Sequence, residues 1–180
     1  MKDKFSVFLN ANGIKIDAHY KLEDLLDKIR VKSVFVPDIA PNEAQIQVFD
    51  CHGNYEMTNY ADYRRLVLPI RQRKQDRSWT IARLLGAWIN AKVDNAGNYN
   101  ESLSYLMSIG QLETIDRPRL SSVQNIALQI LLPDEMLKAI LPDNIDESDY
   151  AVIARYLQVP VQVLSQRLKQ YKGSENIRGE

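Results

Sequence analysis

The stretch Arg77-Ser78-Trp79-Thr80-Ile81-Ala82-Arg83-Leu84-Leu85-Gly86-Ala87-Trp88-Ile89 divides the chain into two kinds of sequence. Trp79, Ala82, Leu85, Gly86 and Ile89 recur at helical spacing, so the segment reads as a helix with one apolar stripe, ending before Asp94-Asn95-Ala96-Gly97-Asn98. Upstream the period is two. Residues 31–36 and 44–49 are β-rich runs separated by Pro37-Asp38-Ile39-Ala40-Pro41-Asn42. His52-Gly53-Asn54 reads as a turn, giving a hairpin with arms 47–51 and 55–58. Leu66-Val67-Leu68-Pro69-Ile70 reads as a short strand, and its proline, which has no N–H for a ladder, puts it at a sheet edge.

Downstream the pattern is helical, with segments expected at 101–109, 121–132, 134–141, 146–156 and 161–171. Ser121 or Ser122 can cap the helix that starts there, and Pro133 and Pro142 punctuate two helix ends. Near the start, Leu22, Leu25, Leu26 and Ile29 form a helical face of their own. The expected class is α+β: a small antiparallel sheet in the first half with a helical cluster behind it.

Composition fits one globular domain. The chain has 180 residues, 45% hydrophobic and 26% charged, which argues against disorder, collagen-like repeats and a coiled-coil rod. Its 23 basic and 23 acidic side chains cancel, so binding to nucleic acid or a membrane surface through bulk charge is not expected. No apolar run reaches membrane-spanning length, and Met1-Lys2-Asp3-Lys4 leads into no signal-like apolar core. Cys51 is alone and cannot form an internal disulfide. A cytoplasmic protein is expected. P-loop, dinucleotide-fold, serine-hydrolase and Cys-x-x-Cys motifs do not occur.

Three segments, in order, resemble the ImmA/IrrE family of zinc metallopeptidases. Residues 77–89 are similar to its active-site helix, R-x-F-T-I/L-A-H-E-L-G-H. Val123-Gln124-Asn125-Ile126-Ala127-Leu128-Gln129-Ile130-Leu131-Leu132-Pro133 resembles its second signature, E-A-N-x-F-A-A-x-L-L-M-P. Ala154-Arg155-Tyr156-Leu157-Gln158-Val159-Pro160-Val161, continuing to Arg167-Leu168, is similar to its helix-turn-helix-like close, A-x-x-F/L-G-V-S/P, with Gln158 where a glycine is usual. The strand 66–70 also sits where the family has one. The resemblance covers roughly residues 31–171 and implies a metallopeptidase-like core.

His-Glu-x-x-His works because side chains four residues apart share a helix face, letting two imidazoles grip zinc while the glutamate serves as general base. On the resembling positions the ligands are Arg83 and Ala87, the base is Leu84, and the third ligand is Ser122. Arginine stays protonated and cannot ligate, leucine cannot move a proton, alanine has no donor atom, and serine is a poor zinc ligand. His19, His52 and Cys51 are the remaining soft ligands, and they are read as exposed or locally bonded rather than as a relocated metal site. The packing residues match the pattern and the chemical ones do not. No catalytic residue, metal or cofactor is assigned, and an inactive relative of the peptidases is expected. The resemblance implies helix-turn-helix repressors as clients, so the expected role is regulatory binding of a partner protein in a prophage or mobile-element switch.

Two other signals bear on partners. Arg71, Arg73, Lys74, Arg77 and Arg83 form a basic run, read as a solvated loop before a helix or as a patch for an acidic protein or phosphates. For Arg83, the candidate pairing carboxylates are Glu101, Asp94 and Glu113. The resemblance implies that the C-terminal helix-turn-helix-like element is part of the packed domain; read instead as a DNA contact, it offers Gln162, Ser165, Gln166 and Lys169 on one face, the alternative function being a sequence-specific DNA-binding regulator. Tyr55, Tyr60, Tyr63, Tyr99 and Tyr105 carry amphipathic rings that suit a partner surface or half-buried packing alike. The expected organisation is an N-terminal helical extension (1–30), the pseudopeptidase domain (31–172) and a flexible tail (173–180).

Overall fold

The computed structural model describes residues 3–49, 63–94, 105–141 and 145–178. Two helices open the chain, α1 (Lys4–Ala11) and α2 (Leu22–Lys28). The Asp3 carboxylate caps α1 by accepting the N–H groups of Phe5 and Ser6. Three strands come next: β1 (Lys32–Val36), β2 (Gln45–Phe49) and β3 (Tyr63–Pro69). The long helix α3 (Lys74–Asp94) leads to β4 (Tyr105–Ser108) and a single turn, α4 (Ile109–Leu112). The chain then forms α5 (Arg117–Leu131), α6 (Asp134–Ile140), α7 (Tyr150–Leu157) and α8 (Val161–Arg178). Among the described residues no helix is long and apolar enough to cross a membrane.

The α+β class holds, but the sheet is mixed rather than antiparallel. Its order is β1-β3-β2-β4, with β3 parallel to β1 and antiparallel to β2, and β2 antiparallel to β4. Alternation in a sequence locates strands and says nothing of their direction. The proline-bearing strand is central, not an edge. β2 pairs with β3 only as far as Val67, so Pro69 has no neighbour on that side and its missing N–H costs nothing there. β2 and β3 pair antiparallel, residues 45–49 against 63–67; the turn expected at 52–54 and the expected return arm 55–58 lie outside the described residues.

Where a helix is expected at 101–109, residues 105–108 are a strand. Tyr105 and Met107 share the core side with Val48 and Ile46, while Leu106, 58% exposed, faces the open side. α5 starts at Arg117 rather than 121, capped by Asp116, whose carboxylate accepts the N–H of Arg119. α7 starts at Tyr150, not 146. α8 runs on through Gly173 to Arg178, where a loose tail is expected from the composition.

Helix α3 is the axis of the molecule. Thr80, Ile81, Ala82 and every residue from Leu84 to Asn90 are buried, packed against α1, α5 and strands β2 and β4. Gly86 marks the closest approach of α5: a Cβ there would meet the Val123 carbonyl oxygen at 2.8 Å and the Ala127 nitrogen at 3.3 Å. Phe8 of α1 sits edge-on to Trp88, ring centres 5.7 Å apart at 71°. Phe5, Phe8, Leu25, Leu26 and Ile29 belong to the same hydrophobic core as α3 and α5, so α1 and α2 are built into the core of the sheet and helices downstream of them.

Candidate functional site

The positions that resemble a metal site lie along the buried length of α3 and the facing turn of α5. Leu84, at the general-base position, has no exposed surface, and Ala87 is buried beside it. Arg83 is largely buried as well. Its side chain is 14% exposed, and Nη1 lies 3.4 Å from Oε1 of Glu113, one of its three candidate carboxylates. Its Nε is buried with no hydrogen-bond partner among the described residues.

Ser122, at the third-ligand position, donates from Oγ to Oδ1 of Asn90 at 2.7 Å. That oxygen also accepts from Lys4 Nζ at 2.8 Å, and Lys4 pairs with Oδ1 of Asp94 at 2.5 Å. Asn90 in turn donates from Nδ2 to Oδ2 of Asp94 at 3.1 Å. A polar network therefore ties α1, α3 and α5 together one turn beyond Ala87. Its Ser122 hydroxyl is spent as a donor. Neither this serine nor the ion-paired Arg83, nor Leu84 and Ala87, fits a zinc ion. His19 is exposed, its backbone N–H donating to Asp17, and Cys51 and His52 lie outside the described residues.

The basic run splits by role. Arg77 braces the turn into α3, donating from Nη2 to the carbonyls of Ile70 (3.2 Å) and Gln72 (3.1 Å), with its guanidinium 4.8 Å above the Phe35 ring. Arg73 pairs with Asp76 at 2.6 Å on the surface. Arg71 and Lys74 are exposed, with no ion-pair partner among the described residues. The structure thus brings Arg71, Arg73, Lys74 and Arg77 to one end of α3. Arg83, nearly two turns on, belongs with Glu113 instead.

In the C-terminal pair, Gln158 takes the left-handed conformation at φ 56° that a glycine would adopt more easily. The N–H of Val159 donates back to the Ala154 carbonyl at 3.0 Å, closing the turn. Along α8, Val163, Leu164, Arg167, Leu168 and Tyr171 face the core, leaving Gln162, Gln166 and Lys169 exposed with Ser165 half-buried between them. The buried Arg167 donates from Nε to the Leu132 carbonyl at 2.8 Å and pairs with Asp134. Beside this pair lies a cleft of about 370 Å³ that also touches Leu9, Ile16, Gln129 and Glu135.

The sequence reading misses Asn90 and Lys4 of the network, and Arg167. Each polar member inside an apolar helical stripe is a visible signal: Asn90 follows Trp88-Ile89, and Arg167 lies between Leu164 and Leu168. Their partners, 32 to 86 residues away, are not readable from spacing. Compared with known proteins, the chain matches no family model, no curated protein and no solved structure.

Proposed function

We propose that this chain is a noncatalytic regulatory protein, an inactive relative of the ImmA/IrrE metallopeptidases that works in the cytoplasm by holding a partner protein. The partner suggested by the resemblance is a helix-turn-helix repressor or related component of a prophage or mobile-element switch. The observation that carries the reading is the state of α3 and α5. The small residue needed for their close packing is kept at Gly86, while the positions needed for hydrolysis are occupied by an ion-paired Arg83, a buried Leu84 and Ala87, and a hydrogen-bonded Ser122.

Affinity capture of the tagged chain from its own cells, with and without nuclease, tests this reading. A helix-turn-helix regulator retained after nuclease, intact and uncut, supports it. Chelator-sensitive cleavage of that regulator by the pure chain would overturn it. A second reading, sequence-specific DNA binding, is favoured by one observation: Gln162, Gln166 and Lys169 share the solvent face of α8. Capture of only nuclease-sensitive material, with affinity for duplex DNA falling steeply as salt rises, would select that reading. Gln166→Ala should then change sequence preference, whereas a protein-binding mode should respond to Arg83→Glu, read beside the unfolding curve because the change also sets two carboxylates together at Glu113.

A further inference from the structure

Strand β1 forms one edge of the sheet, and among the described residues nothing pairs with its outer side. The Ile70 N–H donates to the Val36 carbonyl at 3.2 Å, so Val36 turns its polar backbone groups toward β3. Alternation along the strand puts Lys32 and Val34 the same way and aims the N–H and C=O of Ser33 and Phe35 outward. A row of unpaired backbone groups is a template for another strand. Apolar surface flanks it, with Val34 40%, Phe35 46% and the neighbouring Ile70 50% exposed. Val34 and Phe35 lie on opposite faces, so an added strand would gain contact on both.

Charge selects the occupant. Lys32 opens the strand, and Arg71 and Lys74, exposed and without ion-pair partners among the described residues, come after Ile70 at its far end. Arg77 lies over Phe35 and Arg73 is largely exposed. Asp76 is already paired with Arg73, and Asp38 is exposed in the turn after β1. A second copy pairing antiparallel through β1 would bring each Lys32 toward the other copy's Arg71 and Arg77 with only Asp38 to offset them, so repulsion outweighs attraction. Carboxylates on an incoming strand would meet the opposite field.

We propose that the outer edge of β1 takes up an extended acidic segment of a partner protein as an added strand, its carboxylates reaching Lys32, Arg71 and Lys74. This deepens the partner-binding reading and rests on its claim that the chain works by holding a protein.

The probe is an array of synthetic peptides of about ten residues, long enough for one strand, in which acidic, basic or neutral polar residues alternate with valine, isoleucine or tyrosine. The full chain should be retained by the acidic set. Phe35→Pro removes one outward N–H and spares the ladder to β3. This variant, and separately the pair Arg71→Glu with Lys74→Glu, should each weaken retention about tenfold or more, the scale of one lost hydrogen bond or charged contact. The surface pair should keep the parent's thermal unfolding curve, and it remains informative where the proline variant, which also loses the ring beneath Arg77, fails to fold.

No retention, equal retention of basic or neutral peptides, or indifference of a folded Phe35→Pro chain overturns the proposal. Duplex DNA binding that is lost with the glutamate pair but not with Phe35→Pro assigns the cluster to phosphates and overturns it. So does self-association that Phe35→Pro abolishes. A client captured equally by parent and Phe35→Pro chains removes the edge while leaving partner binding in place. Acidic-peptide retention with no client captured does the reverse.

Discussion

Gly86 sets how closely α3 and α5 approach, because both groups its missing Cβ would strike, the Val123 carbonyl and the Ala127 nitrogen, are backbone and cannot rotate aside. Gly86→Ala gains about 1 kcal/mol of helix propensity but incurs overpacking of about 1–3 kcal/mol. With a 2.8 Å contact against backbone, the upper part of that range applies, so denaturant unfolding should register a net loss of about 1–2 kcal/mol. Tyr105 gives a pH signature. Burial pushes its hydroxyl up to about 12 from an ordinary 10.0. The folded chain keeps this proton where the unfolded chain releases it, so the contribution is complete below pH 10 and is lost as pH rises toward 12. Tyr20 is raised in the same direction, by burial first and then by Glu23 and Asp24. Unfolding measured at rising pH should therefore show falling stability, and Tyr105→Phe should flatten part of the fall. At the positions set against the peptidase motif, side chains without ligand chemistry are legible residue by residue in Arg83, Leu84 and Ala87, with Ser122 a poor ligand. That Glu113 holds Arg83, and that Asn90 holds Ser122, depends on the packing of α4 and α5 against α3.

Among the elements, the turn between α7 and α8 carries a local strain. Gln158 sits at φ 56° and ψ 40°, where its Cβ crowds the backbone and glycine does not. Gln158→Gly should raise stability by about 0.5–1 kcal/mol, read as a higher denaturant midpoint with an unchanged slope. The long helices are readable because their apolar stripes persist over several turns and prolines mark their ends. Asp116-Arg117-Pro118 also holds a start signal for α5, an N-cap residue with a proline in the first turn, which competes in the sequence with the capping serines at 121 and 122. The strand at 105–108 is not readable as such. Four residues are too few for period two to be told from period 3.6, and the edge of β2 decides the outcome. The central place of β3 is hidden for a related reason: Pro69 forbids a ladder bond only where a neighbour reaches it, and β2 stops short.

At the scale of the whole molecule, Phe5, Phe8, Leu25, Leu26 and Ile29 are as deep in the core as the helices behind the sheet. Phe8 meets Trp88 edge-on, and Lys4 reaches Asn90 and Asp94 at the end of α3. Phe8→Ala should cost about 3–5 kcal/mol in denaturant unfolding, with a red shift of tryptophan emission as water reaches Trp88. A freely removable extension would leave both unchanged. The helical periodicity of 22–29 shows that this region folds, but which surface it covers depends on distant partners. The sheet order adds a constraint on how the molecule is made. β2 finds its two neighbours on opposite sides of α3 in the sequence, β3 before it and β4 after it. A ribosome that has released residues up to Asp94 has supplied β2, β3 and the central helix, yet the strand that closes beside Ile46 is still unmade. Until Ser108 emerges the sheet of the nascent chain ends at β2, a strand whose Ile46 and Val48 are fully buried in the finished fold, and a pause in translation between these points lengthens its exposure to aggregation or to a chaperone.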